Sequence, residues 1–162
     1  MAENIEFPCF VADCSFIASF FLAGKTEDEP KTASDTILSL IQNNGQIIVP
    51  PLFWYEIGNV LLNCTKPSKI TGVPRITKTE CAEIQRNLSL LPIATDSLPD
   101  NEIRSNILVY AEQYALSYYD ASYIELAVRL GLKLKTFDKD LKAAADADKG
   151  RAGAGIDMGE LG

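Results

Sequence analysis

The chain contains no histidine. That removes the imidazole on which much acid–base and metal chemistry depends, so any site here must be built from other side chains. Cysteine is sparse and unpatterned: Cys9, Cys14, Cys64 and Cys81 form no Cys-x-x-Cys pair, which leaves a zinc site poorly supported and buried thiols as the plain reading. No apolar stretch reaches the roughly 18 residues of a membrane helix. The acidic Met-Ala-Glu start lacks the basic-then-apolar order of a signal peptide. A cytoplasmic protein with no membrane attachment is expected. Positive charge is also short, since 15 Lys and Arg against 22 Asp and Glu leave a net charge of −7. This argues against a broad basic surface that grips duplex backbone. It does not exclude nucleic acid as such, because divalent cations held by acidic side chains would reverse the local field that a phosphate meets.

What is present is a chain of 162 residues, 47% hydrophobic, enough for one core. Residues 1–146 are expected to form a single domain. Residues 147–162 form a Gly/Ala-rich end, in which Ile156 to Met158 would be a weak edge strand or the segment would be disordered. No internal repeat is visible.

Along the domain, Phe10 to Ala12 is a short apolar run ending at Asp13, and Ser15 to Leu22 reads as a buried helix. A second helix is expected from about Thr32 to Asn43, stopped by Asn44-Gly45 before a strand at Ile47 to Val49. Pro50-Pro51 opens a helix from Leu52 to about Thr65, with Phe53, Ile57, Val60, Leu61 and Cys64 on one stripe and Glu56 at its edge. Lys66 to Arg75 reads as a loop, and Thr77-Lys-Thr-Glu80 has capping-box form, with Ile76 and Cys81 placed for a staple. A strand at Leu90 to Ala94, a helix from Pro99-Asp100 to about Tyr114, a helix from Tyr119 to Leu130 ended by Gly131, and a strand at Lys133 to Thr136 complete the pattern. Strand and helix alternate with connections too long for hairpins. The expected fold is α/β, three-layer α/β/α, with a mostly parallel sheet of four to five strands.

Four acids, Asp13, Glu56, Asp120 and Asp138, stand where a strand-like run gives way to a helix or early in the helix that follows. In a parallel sheet they would converge at the strands' carboxyl ends, where open α/β sheets bind ligands. A carboxylate cluster there needs a cation. Each acid also has an ordinary explanation. Asp is favoured at helix N-caps, which would account for Asp138 and Asp120 taken singly. Glu56 lies in the second turn of its helix, too deep to cap it, and as a lone residue reads as a solvated side chain. Asp13 sits between an apolar strand and an apolar helix, where it must find protons or a metal.

The residues together resemble the PIN-domain family. Phe10-Val-Ala-Asp13-Cys-Ser15 is similar to its opening strand and first acid, and Trp54-Tyr-Glu56-Ile-Gly-Asn-Val60 to the helix carrying its second. Tyr119-Asp120-Ala-Ser-Tyr-Ile-Glu-Leu-Ala127 resembles the third motif, and Leu134-Lys-Thr136-Phe-Asp138-Lys-Asp-Leu141 the fourth. The order and spacing resemble the VapC-type toxins. The resemblance implies a Mg2+- or Mn2+-dependent endoribonuclease, the toxin of a type II toxin–antitoxin pair, with RNA as substrate, an antitoxin as partner and a homodimeric state. It implies Asp13, Glu56, Asp120 and Asp138 as catalytic residues. Asp13, Asp120 and Asp138 would be metal ligands, and Ser15 and Thr136 would donate hydrogen bonds behind them. Asp140 could stand in for Asp138. Lys66, Lys69 and Arg75 are candidates for touching RNA, although basic residues in a polar loop are commonly just solvated. Phe16, Phe20, Trp54 and Tyr55 could line an antitoxin groove, although core packing is the commoner fate of such residues. The alternative from another class is a catalytically silent α/β interaction module.

Overall fold

The structure, a computed structural model, describes residues 7–22 and 28–152. Among them, strands β1 (Cys9–Ala12), β2 (Gln46–Val49), β3 (Ile93–Thr95) and β4 (Leu134–Lys135) form one sheet in the order β3-β2-β1-β4. Every pairing is parallel: Phe10 stands opposite Ile47, Ile48 opposite Ala94, and Val11 opposite Leu134. The expected mostly parallel α/β sheet is present with four strands.

Seven helices surround it among the described residues: α1 (Cys14–Phe21), α2 (Asp28–Gln42), α3 (Leu52–Cys64), α4 (Lys78–Leu88), α5 (Asn101–Tyr114), α6 (Tyr118–Leu130) and α7 (Lys139–Ala152). The chain moves outward from β1 to β2 to β3, then returns past both to place β4 on the far side of β1. The direction of travel therefore reverses between β1 and β4, which makes their carboxyl ends the switch point where such sheets take ligands. Helix α1 packs against α2 and α3, and α5 packs against α6, which lies against β1.

The core is packed from both faces. Val11, Ile17, Ile37, Ile47, Val49, Phe53, Leu61, Ile124 and Leu126 are all buried, and Phe16 packs edge-on to Phe10 and stacks on Phe137. The turn before β2 needs glycine at position 45, since a Cβ there would collide with the Pro8 carbonyl and the Leu40 side chain. Gly131 ends α6 at φ +64, a left-handed conformation that costs glycine little.

Several boundaries differ from expectation. Helix α2 already includes Asp28, Glu29, Pro30 and Lys31, ahead of the expected Thr32. The strand expected at Leu90 to Ala94 begins only at Ile93. Leu90 and Leu91 instead close the turn after α4 by bonding back to Asn87 and Leu88, and Leu90 is 80% exposed. The capping box of α4 forms as expected, with Thr77 Oγ1 accepting from Glu80 N–H and Glu80 Oε2 from Thr77 N–H. Helix α7 continues through Ala152, past the composition change at residue 147. The edge strand expected at Ile156 to Met158 lies outside the described residues.

Candidate active site

Asp13 follows β1 and caps α1: its Oδ1 accepts from Phe16 N–H at 3.1 Å and from Ser15 Oγ at 2.8 Å. Its Oδ2 accepts from Thr136 Oγ1 at 2.7 Å. The neighbouring strand end delivers that threonine, since Asp13 N–H bonds to the Lys135 carbonyl at 3.2 Å across β1 and β4. Ser15 and Thr136 oxygens lie 3.3 Å apart, but both hydroxyl protons are already directed at Asp13, so the pair is a contact rather than a bond. Each hydroxyl also receives a backbone proton, Ser15 from Phe137 N–H and Thr136 from Asp138 N–H. The two side chains thus lock the β4–α7 turn and Asp13 into one network. Asp13 is only 6% exposed, and burial raises its carboxyl above the usual value against the pull of these three hydrogen bonds.

Glu56 projects from α3 and is half-buried. Its Oε1 accepts a 2.6 Å hydrogen bond from Tyr123 of α6, which pulls its carboxyl down. Burial is the larger effect, and with the charges of Asp120 and Asp13 it leaves Glu56 raised. Asp120 is not the cap of α6. Ser117 is: its Oγ accepts from Asp120 N–H at 3.0 Å and donates to Asp120 Oδ2 at 2.8 Å. The capping explanation for Asp120 therefore falls away. Asp138 does cap, with Oδ1 accepting from Leu141 N–H at 2.9 Å, and it borders the cavity as well.

Asp13, Ser15, Glu56, Asp120 and Asp138 all line one cavity of about 700 Å3 at the switch point. Asp140 does not; it lies beside Tyr114 and Ala115 on another part of the surface. Of the loop cations, Arg75 lines the cavity, whereas Lys66 bonds to Asn63 Oδ1 at 3.2 Å. Among the aromatics proposed for a groove, Phe16 is a core residue, Trp54 donates to Thr95 Oγ1 at 2.8 Å, and Tyr55 is 82% exposed. Cys14, beside Asp13, is buried, and its thiol is pushed up to about 12 by burial and by Glu56 and Asp13, so it stays protonated.

The donors facing the cavity fit a hard divalent cation. They are carboxylate oxygens, but among the described residues no three acids are gathered tightly enough to hold an ion alone. That arrangement suits an ion such as Mg2+, which keeps several waters alongside its carboxylate ligands. Tyr123 and Ser117 are the residues that sequence reasoning missed. Ser117-x-x-Asp120 has a capping signature, and Tyr123 lies one helical turn beyond Asp120 as a tyrosine whose buried hydroxyl needs a partner.

The comparisons with known proteins agree with this architecture. A family model described as the PIN domain matches residues 10–147. No curated protein sequence matches the chain. Among solved structures, VapC20 of Mycobacterium tuberculosis, titled a sarcin-ricin loop cleaving toxin, superposes with TM-score 0.60 at 14% identity, covering 83% of this chain and 94% of that one. PAE2754 from Pyrobaculum aerophilum gives TM-score 0.56 at 17% identity, covering 94% of this chain and 100% of that one. FitAcB from Neisseria gonorrhoeae gives 0.55 at 15%, covering 85% and 93%. At these identities the superpositions speak to the fold.

Proposed function

The chain belongs to the PIN-domain family, and from that premise we propose that it is a Mg2+- or Mn2+-dependent endoribonuclease, the toxin of a type II toxin–antitoxin pair. The observation that carries the proposal is the meeting of Asp13, Glu56, Asp120 and Asp138, from four separate segments, on one cavity at the switch point of the sheet. VapC20, a toxin that cleaves the sarcin-ricin loop, supports the toxin assignment by analogy of fold. On the same analogy the protein acts in the cytoplasm as a homodimer restrained by a cognate antitoxin.

Asp13, Asp120 and Asp138 would hold the cation, which when bound supplies positive charge to phosphate oxygens and makes water a better nucleophile. The remaining work falls to the chain. Ser15 and Thr136 direct both their protons at Asp13, which orients the carboxylate and favours its ionised form despite burial. With two donors already on Oδ1 and one on Oδ2, Oδ2 keeps the freer lone pair for a cation. Glu56, raised by burial and by its acidic neighbours, is the carboxyl placed to accept or return a proton during phosphodiester hydrolysis. Tyr123 holds it in position.

The test is cleavage of single-stranded or looped RNA by purified protein with Mg2+ or Mn2+. Cleavage should stop in excess chelator and in Asp13→Asn, and expression without the partner should arrest growth. Undiminished cleavage in chelator overturns the mechanism. Normal growth with active protein accumulating unpartnered overturns the toxin assignment and leaves the nuclease standing.

A further inference from the structure

A phosphodiester that approaches the five acids lining the cavity, Asp13, Glu29, Glu56, Asp120 and Asp138, is repelled, and a hydrated divalent ion relieves that repulsion only where it sits. The same cavity has a fixed cation on its wall, Arg75. None of the ion pairs among the described residues involves it: Lys31 is taken by Asp35, and Arg129 by Asp96 and Glu125. An arginine that lines an acidic cavity yet stays clear of its acids keeps its whole guanidinium fork for another partner.

The backbone under Arg75 is held from both sides. Its N–H and that of Ile76 both donate to the Cys64 carbonyl, at 2.9 and 3.1 Å, at the end of the helix that carries Glu56. Ser68 N–H bonds to Val73, and Pro67 bridges Pro74, closing the loop before it. The capping box of α4 starts two residues later. The position of Arg75 relative to Glu56 is thus set by paired backbone rather than by a free loop, whereas Lys66 and Lys69 on the same loop do not line the cavity.

We propose that Arg75 is the phosphate-binding residue of the acid cavity, gripping the non-bridging oxygens of the bound RNA strand; this rests on the nuclease reading above. Guanidinium matches two phosphate oxygens with two parallel N–H bonds, which an ammonium does not. Arg75 therefore holds the strand while the acids and their cation act on it.

The experiment measures fluorescence anisotropy of a labelled oligouridylate against the full-length protein in Mg2+, in the Asp120→Asn background to prevent cleavage, across a salt series. Arg75→Gln should flatten the slope of log Kd against log salt by about 0.7, the value for one phosphate contact on a single strand. Arg75→Lys should keep the slope. In the otherwise wild-type protein, Arg75→Lys should lower kcat/KM on RNA by about tenfold or more, as expected for loss of a charge-assisted hydrogen bond. Arg104→Gln, on α5 and bonded to the Pro99 carbonyl, controls for net charge. An unchanged slope in Arg75→Gln with an unchanged thermal midpoint overturns the inference and leaves the nuclease reading intact, as does an equal flattening by Arg104→Gln. If Asp120→Asn does not bind oligouridylate and the wild type cleaves no RNA, both fall.

Discussion

Tyr123 donates its hydroxyl proton to Glu56 Oε1 at 2.6 Å, joining α6 to α3 beside the acid cavity. Tyr123 is 1% exposed, and burial together with the Glu56 carboxylate pushes its phenol far up, so it remains a donor at any working pH. Tyr123→Phe keeps the ring and removes the bond. Unfolding by urea in chelator should show a loss of about 1.5 kcal/mol, the low end for a hydrogen bond to a charged group because Glu56 is half-buried. The Glu56 titration followed by NMR should move upward, since the bond favours the ionised form. No movement would mean that the bond does not hold in solution.

Much of this was legible in the sequence because strand ends and acids coincide. Asp13 after Ala12 and Asp138 after Thr136 each mark a strand giving way to a helix, and parallel strands bring such points together. What was hidden depends on tertiary partners. Leu90 and Leu91 have strand-like composition but close the turn after α4, and only the pairing of Ile93 to Thr95 with β2 reveals where the ladder starts. Asp120 looks like a cap until Ser117 is seen in that role. Arg75 is indistinguishable from Lys69 in sequence, and only the pairing of the loop to Cys64 separates them.

The pH dependence of the metal-free protein follows from Glu56. Its folded value lies above the ordinary 4.5, so the folded state binds its proton more tightly than the unfolded chain. That contribution is full below the unfolded value and is lost as pH rises from 4.5 through the folded value. Glu56→Gln keeps an acceptor for Tyr123 and has no such loss. The difference in unfolding free energy, variant minus wild type, should therefore grow in the variant's favour as pH rises through that window and then level off. A flat difference across it would show that Glu56 is not raised in solution.

Divalent cation should reverse this strain. An ion that binds only the folded state stabilises it by about 2.7 kcal/mol at a hundred times its dissociation constant, so millimolar Mg2+ or Mn2+ should raise the thermal midpoint. Asp120→Asn should remove most of that rise. In chelator the same variant should be neutral or slightly stabilised, because Ser117 rather than Asp120 caps α6 and one of the cavity's five acids is neutralised. A loss above about 1 kcal/mol in chelator, the usual cost of a cap, would return Asp120 to a structural role.

Thr136→Val is the sharpest probe of the network behind Asp13. The substitution is close in shape, yet it removes the proton that Thr136 Oγ1 gives to Asp13 Oδ2 at 2.7 Å and the acceptor that receives Asp138 N–H at 3.0 Å. Asp13 is buried whereas Asp138 is exposed, so the cost falls mainly on the carboxylate and should be about 2 kcal/mol in urea unfolding. The Asp13 carboxyl should rise further above 3.8, because a hydrogen bond that lowers it is gone while burial remains. Less of it is then ionised at mildly acidic pH, so the acid limb of the RNA-cleavage profile should shift to higher pH in Thr136→Val. A variant that loses stability but keeps the wild-type acid limb would mean that Thr136 only braces the β4–α7 turn and does not tune Asp13.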